Sequence, residues 1–100
     1  MLYYTQVIFI KEGQNDQFNL FESHVLPLLE KHNGTLLYRV RPTDDCVIAS
    51  AMGRPYELHV VSFPSTEDFV AYGKDPDRLR QMHLKEASIE KAMLIEGKLL

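Results

Sequence analysis

One hundred residues, 45% of them hydrophobic, suffice for one domain with its own core, so a single domain over residues 1–100 is expected. The formal net charge of −3 removes the electrostatic reason to hold nucleic acid, whose nonspecific affinity comes from lysine and arginine neutralising phosphates. No apolar run approaches the roughly 20 residues that span a bilayer, the start Met-Leu-Tyr-Tyr-Thr-Gln lacks the pattern of a secretory signal, and the single cysteine, Cys46, has no partner for an internal bridge. A cytoplasmic protein with neither nucleic-acid nor membrane partners is the expectation.

Residues Leu2 to Lys11 read as a strand that is apolar on both faces, since Tyr3, Val7 and Phe9 alternate with Tyr4, Ile8 and Ile10. After Asn15 or Asp16 as N-cap, Phe18, Phe21, Val25, Leu28 and Leu29 recur at helical spacing. Pro27 lies inside that pattern and predicts a kink. Gly34 is expected to supply the left-handed cap that ends the helix.

Thr35 to Arg41 predicts a second strand with Leu37, Arg39 and Arg41 sharing a face, stopped by Pro42. Cys46 to Ser50 would extend the hairpin, against the turn chemistry of Asp44-Asp45 and Gly53-Arg54-Pro55. Glu57 to Phe63 is a third strand, ended by Pro64. Ser65 with Asp68 resembles a capping box opening a short helix, which Gly73 interrupts. Asp75-Pro76 starts another helix, running to about Lys91, and Ala92 to Leu99 forms the last strand.

This βαββαβ order is the ferredoxin-like arrangement, an α+β fold with a four-stranded antiparallel sheet and both helices on one face. With the first and third strands apolar on both sides, the face away from the helices would be a larger apolar patch than soluble monomers expose. A second copy of the chain would cover it, giving a homodimeric α/β barrel.

Taken in order, Asn33-Gly34-Thr35-Leu36-Leu37-Tyr38-Arg39, Gly53 and Pro55 before the third strand, Phe63-Pro64-Ser65 closing it, and Ile95-Glu96-Gly97 near the end resemble the bacterial family called domain of unknown function 1330. The resemblance spans nearly the whole chain. It implies membership of the dimeric α/β-barrel superfamily, which also holds cofactor-free monooxygenases, small isomerases and haem-degrading enzymes. Arg39 falls where that family tends to have an arginine, and Gln6 where it has a polar residue. Ser62 stands where the family usually has a carboxylate, and its late-helix arginine has His83 and Lys85 as the nearest counterparts.

Arg39 is the candidate anchor for a small anionic metabolite, because its planar fork pairs with a carboxylate. The competing role is a structural ion pair, with Glu57 as the partner to expect. Arg41, at the strand end, is read as solvated. His59 is a candidate proton shuttle, with a hydrogen-bonded core histidine as the alternative. His83 is the second catalytic candidate, placed at the barrel mouth or as a proximal haem ligand. Gln6 and Ser62 complete the expected binding set.

His24 and His32 are eight apart and lack metal-ligand spacing, so neither a metal nor another cofactor is expected. Cys46 is read as a small apolar residue, and Tyr3, Tyr4, Tyr38 and Tyr72 as packing groups. The functional reading is a cofactor-free enzyme of monooxygenase or isomerase type acting on a small organic acid. The alternative is a non-catalytic ligand-binding or structural homodimer, and cavity volume separates the two.

Overall fold

Strand β1 (Leu2–Ile10) is hydrogen-bonded on both edges, which its two-sided apolar pattern allows. The computed structural model describes all 100 residues and places β1 between β3 (Glu57–Phe63) and β4 (Ile89–Gly97), with β2 (Thr35–Val40) beyond β3. The four antiparallel strands run in the order β2-β3-β1-β4. This is the expected ferredoxin-like α+β fold. No helix is long and apolar enough to cross a membrane.

Helix α1 (Asn15–Val25) buries Phe18, Phe21, Glu22 and Val25 against the sheet. Pro27 does more than kink it: from Leu26 to His32 the chain tightens into a 3₁₀ segment, where i→i+3 bonding replaces the pattern that proline's missing N–H disrupts. Asn33, not Gly34, adopts the left-handed conformation, at φ 62°. Gly34 is needed for space, because a Cβ there would lie 2.7 Å from Cε1 of Phe63.

Between β2 and β3 the expected hairpin extension is absent. Asp44–Cys46 forms a single 3₁₀ turn, and Cys46 is exposed rather than packed as a small apolar residue. Helix α2 (Thr66–Gly73) is capped by Ser65, whose Oγ accepts from the Asp68 amide at 3.2 Å. The expected helix after Asp75 is two pieces, α3 (Pro76–Leu79) and α4 (Met82–Ser88). The last strand begins at Ile89 because pairing with β1 claims residues that helical periodicity assigns to the helix.

The start of α3 is tied to the 3₁₀ segment. Buried Asp75 accepts from the amide of Asp77 at 2.8 Å and meets His32 Nε2 at 2.6 Å and Lys31 Nζ at 2.9 Å. The hydrogen bonds from His32 and Lys31 hold its carboxyl below the usual range.

On the helix side, Tyr4, Leu29 and Phe63 form one core cluster, with Phe69 stacked on Tyr4 at 4.0 Å between ring centroids. Phe21, Val25 and Leu84 form a second. The opposite face carries Thr5, Val7, Leu58, Val60, Tyr38, Val40, Met93 and Ile95, which the register places directly across from one another. Tyr38 is 65% exposed, and Val40 and Ile95 each 50%. No element of this chain covers that face.

The close approach at Gly34 yields a direct test. Gly34→Ala should lower unfolding stability by ~1–3 kcal/mol, as overpacking of a fitted core does, measured by urea denaturation. An unchanged midpoint would show that Phe63 and Leu29 move aside freely.

Candidate active site

Residues two apart on a strand share a face, so Glu57 and His59 both point from β3 towards the helices, as does Arg39, which pairs across from His59. Glu57 is fully buried and His59 is 2% exposed. Arg39 Nε donates to Glu57 Oε2 at 3.0 Å and Arg41 Nε to Glu57 Oε1 at 2.7 Å. His59 Nε2 is hydrogen-bonded to Glu57 Oε2. Burial alone would raise the Glu57 carboxyl, but the hydrogen bonds from His59, Arg39 and Arg41 outweigh it and hold it at about 2. An ionised carboxylate only accepts, so His59 Nε2 carries the hydrogen and donates it.

Helix α1 supplies the third member. Glu22 occupies a core-facing position of the apolar stripe, is 4% exposed, and brings Oε2 to 3.8 Å from His59 Nε2. Burial raises its carboxyl to about 7, with Glu57 adding to the rise and His59, Arg39 and Arg78 opposing it. Two buried carboxyls beside one histidine are thus driven to opposite charge states. That is the arrangement expected of a proton donor and acceptor working near neutral pH.

Glu22 and His59 border a cavity of about 80 Å³ that residues of both core clusters line. Gln6, Glu22 and His59 line it, with Tyr4, Phe69 and Tyr72 as aromatic walls and Arg78 and Lys85 from the helical layer. Burial, and after it the charge of Arg78, push the Lys85 amine below its ordinary range. A larger groove of about 740 Å³ opens between the end of β1 and the 52–56 segment, but its arginines are committed, Arg54 to Asp44 and Arg41 to Glu57. It brings no buried acid and base together.

The expected site residues divide clearly. His59 and Gln6 reach the cavity, and directly oppose one another between β3 and β1. Ser62 pairs with Tyr3 and Thr35 on the other sheet face, as its odd spacing from His59 requires. His83 is exposed on α4 and lies outside the cavity lining. Arg39 is a structural ion-pair partner of Glu57, the competing role. Arg41 is exposed, as a strand end should be, yet it is not unpaired: it also donates to Asn19 at 2.6 Å and lies over the Tyr56 ring at 4.8 Å. Leu36, expected with Tyr38 and Val40, instead shares the face of Arg39, because it pairs with Val61 and the β2–β3 register shifts between Leu36 and Tyr38.

Donor atoms of Glu22, Glu57 and His59 lie within 4.8 Å of one another, a grouping that histidine spacing alone does not reveal. The donor set suits a divalent cation poorly. Both Glu57 oxygens already accept from guanidinium groups, so the positive charge a metal would bring is supplied by Arg39 and Arg41.

The raised carboxyl of Glu22 has a stability consequence with a definite sign. The folded state binds its proton more tightly than the unfolded chain, so its contribution is complete below about pH 4.5 and is lost as pH rises to about 7. Facing it are Glu57, His59 and Arg39 from the sheet, and Arg78 and Lys85 from α3 and α4. Between pH 5 and pH 8 the stability of Glu22→Gln relative to the parent should rise by ~3 kcal/mol, because each tenfold difference in proton affinity between folded and unfolded chain is worth about 1.4 kcal/mol. Urea midpoints at the two pH values measure it, and a pH-independent difference would refute the raised carboxyl.

No protein-family model matches this sequence, and no curated protein does. Solved structures do match its fold. A protein of unknown function from Rhodopseudomonas palustris superimposes with a TM-score of 0.82 at 15% identity, over 99% of this chain and 82% of the other. A dimeric ferredoxin-like protein of unknown function from Jannaschia sp. CCS1 gives 0.72 at 16% identity, over 98% of each chain. A dimeric protein of unknown function from Bacteroides fragilis, also ferredoxin-like, gives 0.69 at 8% identity, over 98% of this chain and 95% of the other. At these identities the likeness establishes the ferredoxin-like fold.

Proposed function

We propose that this chain is a cofactor-free, metal-free proton-transfer enzyme of the isomerase type, acting on a small organic acid in the cavity between sheet and helices. The observation that carries this reading is Glu22, a buried carboxyl raised to about 7 beside a histidine that Glu57 holds in place. Glu22 takes a proton from the carbon next to a carbonyl and returns it to a neighbouring atom. The electron pair left behind resides on the substrate as an enolate until the proton returns, while His59, its ring oriented by Glu57, stabilises the ionised Glu22 that begins and ends the cycle. A cavity of about 80 Å³ has room for only the smallest organic acids, those of two or three carbons. That is below the roughly 300–1,000 Å³ of drug-sized sites, so large aromatic substrates are disfavoured.

A non-catalytic role for the same cluster has one observation in its favour: Arg39 and Arg41 already satisfy Glu57, as in a structural ion network. Exchange of the methyl hydrogens of pyruvate in D₂O, followed by proton NMR, separates the two readings. The enzyme should accelerate exchange with EDTA present, and Glu22→Gln should reduce it by about 10²–10⁴, the usual contribution of a positioned acid or base. A rate equal to buffer would leave the structural network as the better account.

The uncovered apolar sheet face, and the dimeric state of two structural neighbours, support a homodimer built sheet to sheet, consistent with the family resemblance to domain of unknown function 1330. Light scattering after size exclusion at micromolar concentration should return twice the chain mass of 11.6 kDa. Val60→Asp, placing a charge at the centre of that face, should return a folded monomer. A parent protein that elutes as a monomer would overturn the assembly.

A further inference from the structure

We propose that Arg78 and Lys85 form the carboxylate-binding subsite of the cavity. This assignment rests on the proposed reaction only in placing the reacting carbon beside Glu22. Arg78 Nε is the one buried side-chain nitrogen or oxygen in the chain with no hydrogen-bond partner. Its guanidinium is held over the Tyr72 ring at 5.2 Å, and Nη1 makes a long contact of 3.8 Å to the Met82 sulfur. The other four arginines each have a carboxylate partner: Arg39 and Arg41 share Glu57, Arg54 meets Asp44 and Arg80 meets Asp77. Neither Arg78 nor Lys85 has a carboxylate within 4.0 Å.

Two cations therefore line the cavity with no carboxylate at ion-pair distance, and Glu22, which shares the lining, is largely protonated below about pH 7. A guanidinium nitrogen buried with its hydrogen bond unmade is costly, and a carboxylate meets such a fork with two parallel acceptors. Lysine adds a second, flexible donor to the same oxygens. The wall formed by α3 and α4 thus fixes the charged end of the acid, while Glu22 of α1 and His59 of β3 face the carbon one position further along, the methyl carbon in pyruvate. Arg78, rather than Arg39, is the residue that selects for acids.

Isothermal titration and thermal shift with pyruvate and propionate, at matched ionic strength in sodium chloride, test the assignment. Both should raise the melting temperature saturably, hexanoate and inorganic phosphate should not, and Arg78→Gln should weaken binding at least tenfold, with Arg78→Lys in between. Lys85→Gln, which leaves the Tyr72 stacking intact, should weaken it severalfold and serves if the Arg78 variant fails to fold by near-UV circular dichroism. Glu22→Gln should still bind. Unchanged pyruvate affinity in Arg78→Gln, or in Lys85→Gln where Arg78→Gln does not fold, overturns the subsite, as does equal stabilisation by phosphate or no stabilisation of the parent protein. Arg78-dependent binding without hydrogen exchange would sink the proposed reaction alone, whereas exchange that ignores Arg78 would sink the subsite alone.

Discussion

The buried carboxylate of Glu57 is the constraint from which the rest of the site follows. An unpaired carboxylate in this position would cost several kcal/mol, a large share of the whole stability of a small domain. The chain offsets that cost with Arg39 and Arg41 from the neighbouring strand and His59 from its own. Three donors on two oxygens hold Glu57 ionised and commit the strand cations. Glu22, only 3.8 Å from the same histidine nitrogen, lacks a comparable set, and burial therefore keeps its proton on until about pH 7. The division of labour between the two acids is set by which one the arginines reach.

The sheet separates two kinds of surface. Its helix side holds every buried ionisable group of the cluster, screened from water by α1, the 3₁₀ segment and the two short helices, where electrostatic interactions are strengthened by the low local dielectric. Its other side is apolar and lacks such groups. The tie between Asp75 and His32 fixes the start of α3, and so indirectly where Arg78 lies relative to Tyr72. Arg78 and Lys85 reach one cavity from the two short helices α3 and α4.

Parts of the site are legible along the chain. Glu57 and His59 are two apart in a strand, so a shared face follows from alternation alone, and the same rule excludes Ser62 from that face. Glu22 interrupts the Phe18, Phe21, Val25 stripe at a core-facing position, which marks a carboxyl that must be buried. The pairing of Arg39 with Glu57 is the competing role that adjacent strands allow, and geometry favours it. His83 has no such support, because a single histidine on an amphipathic helix has no partner that spacing can identify.

What the sequence determined by itself is periodicity: the βαββαβ order, the two-sided apolarity of β1 and β3, the Ser65 cap, and which residues of a strand share a face. Tertiary structure decided everything that depends on partners far apart in the chain. It shifted the β2 register so that Leu36 joined the face of Arg39, turned the residues after Pro27 into a 3₁₀ segment, and started β4 at Ile89. It also brought Glu22, Glu57, His59, Arg78 and Lys85 from four elements to one cluster around the cavity. Local pattern reports which way a side chain points, whereas its charge state and its partner depend on what packs against that face, and those groups are set by the register and crossing of segments tens of residues apart.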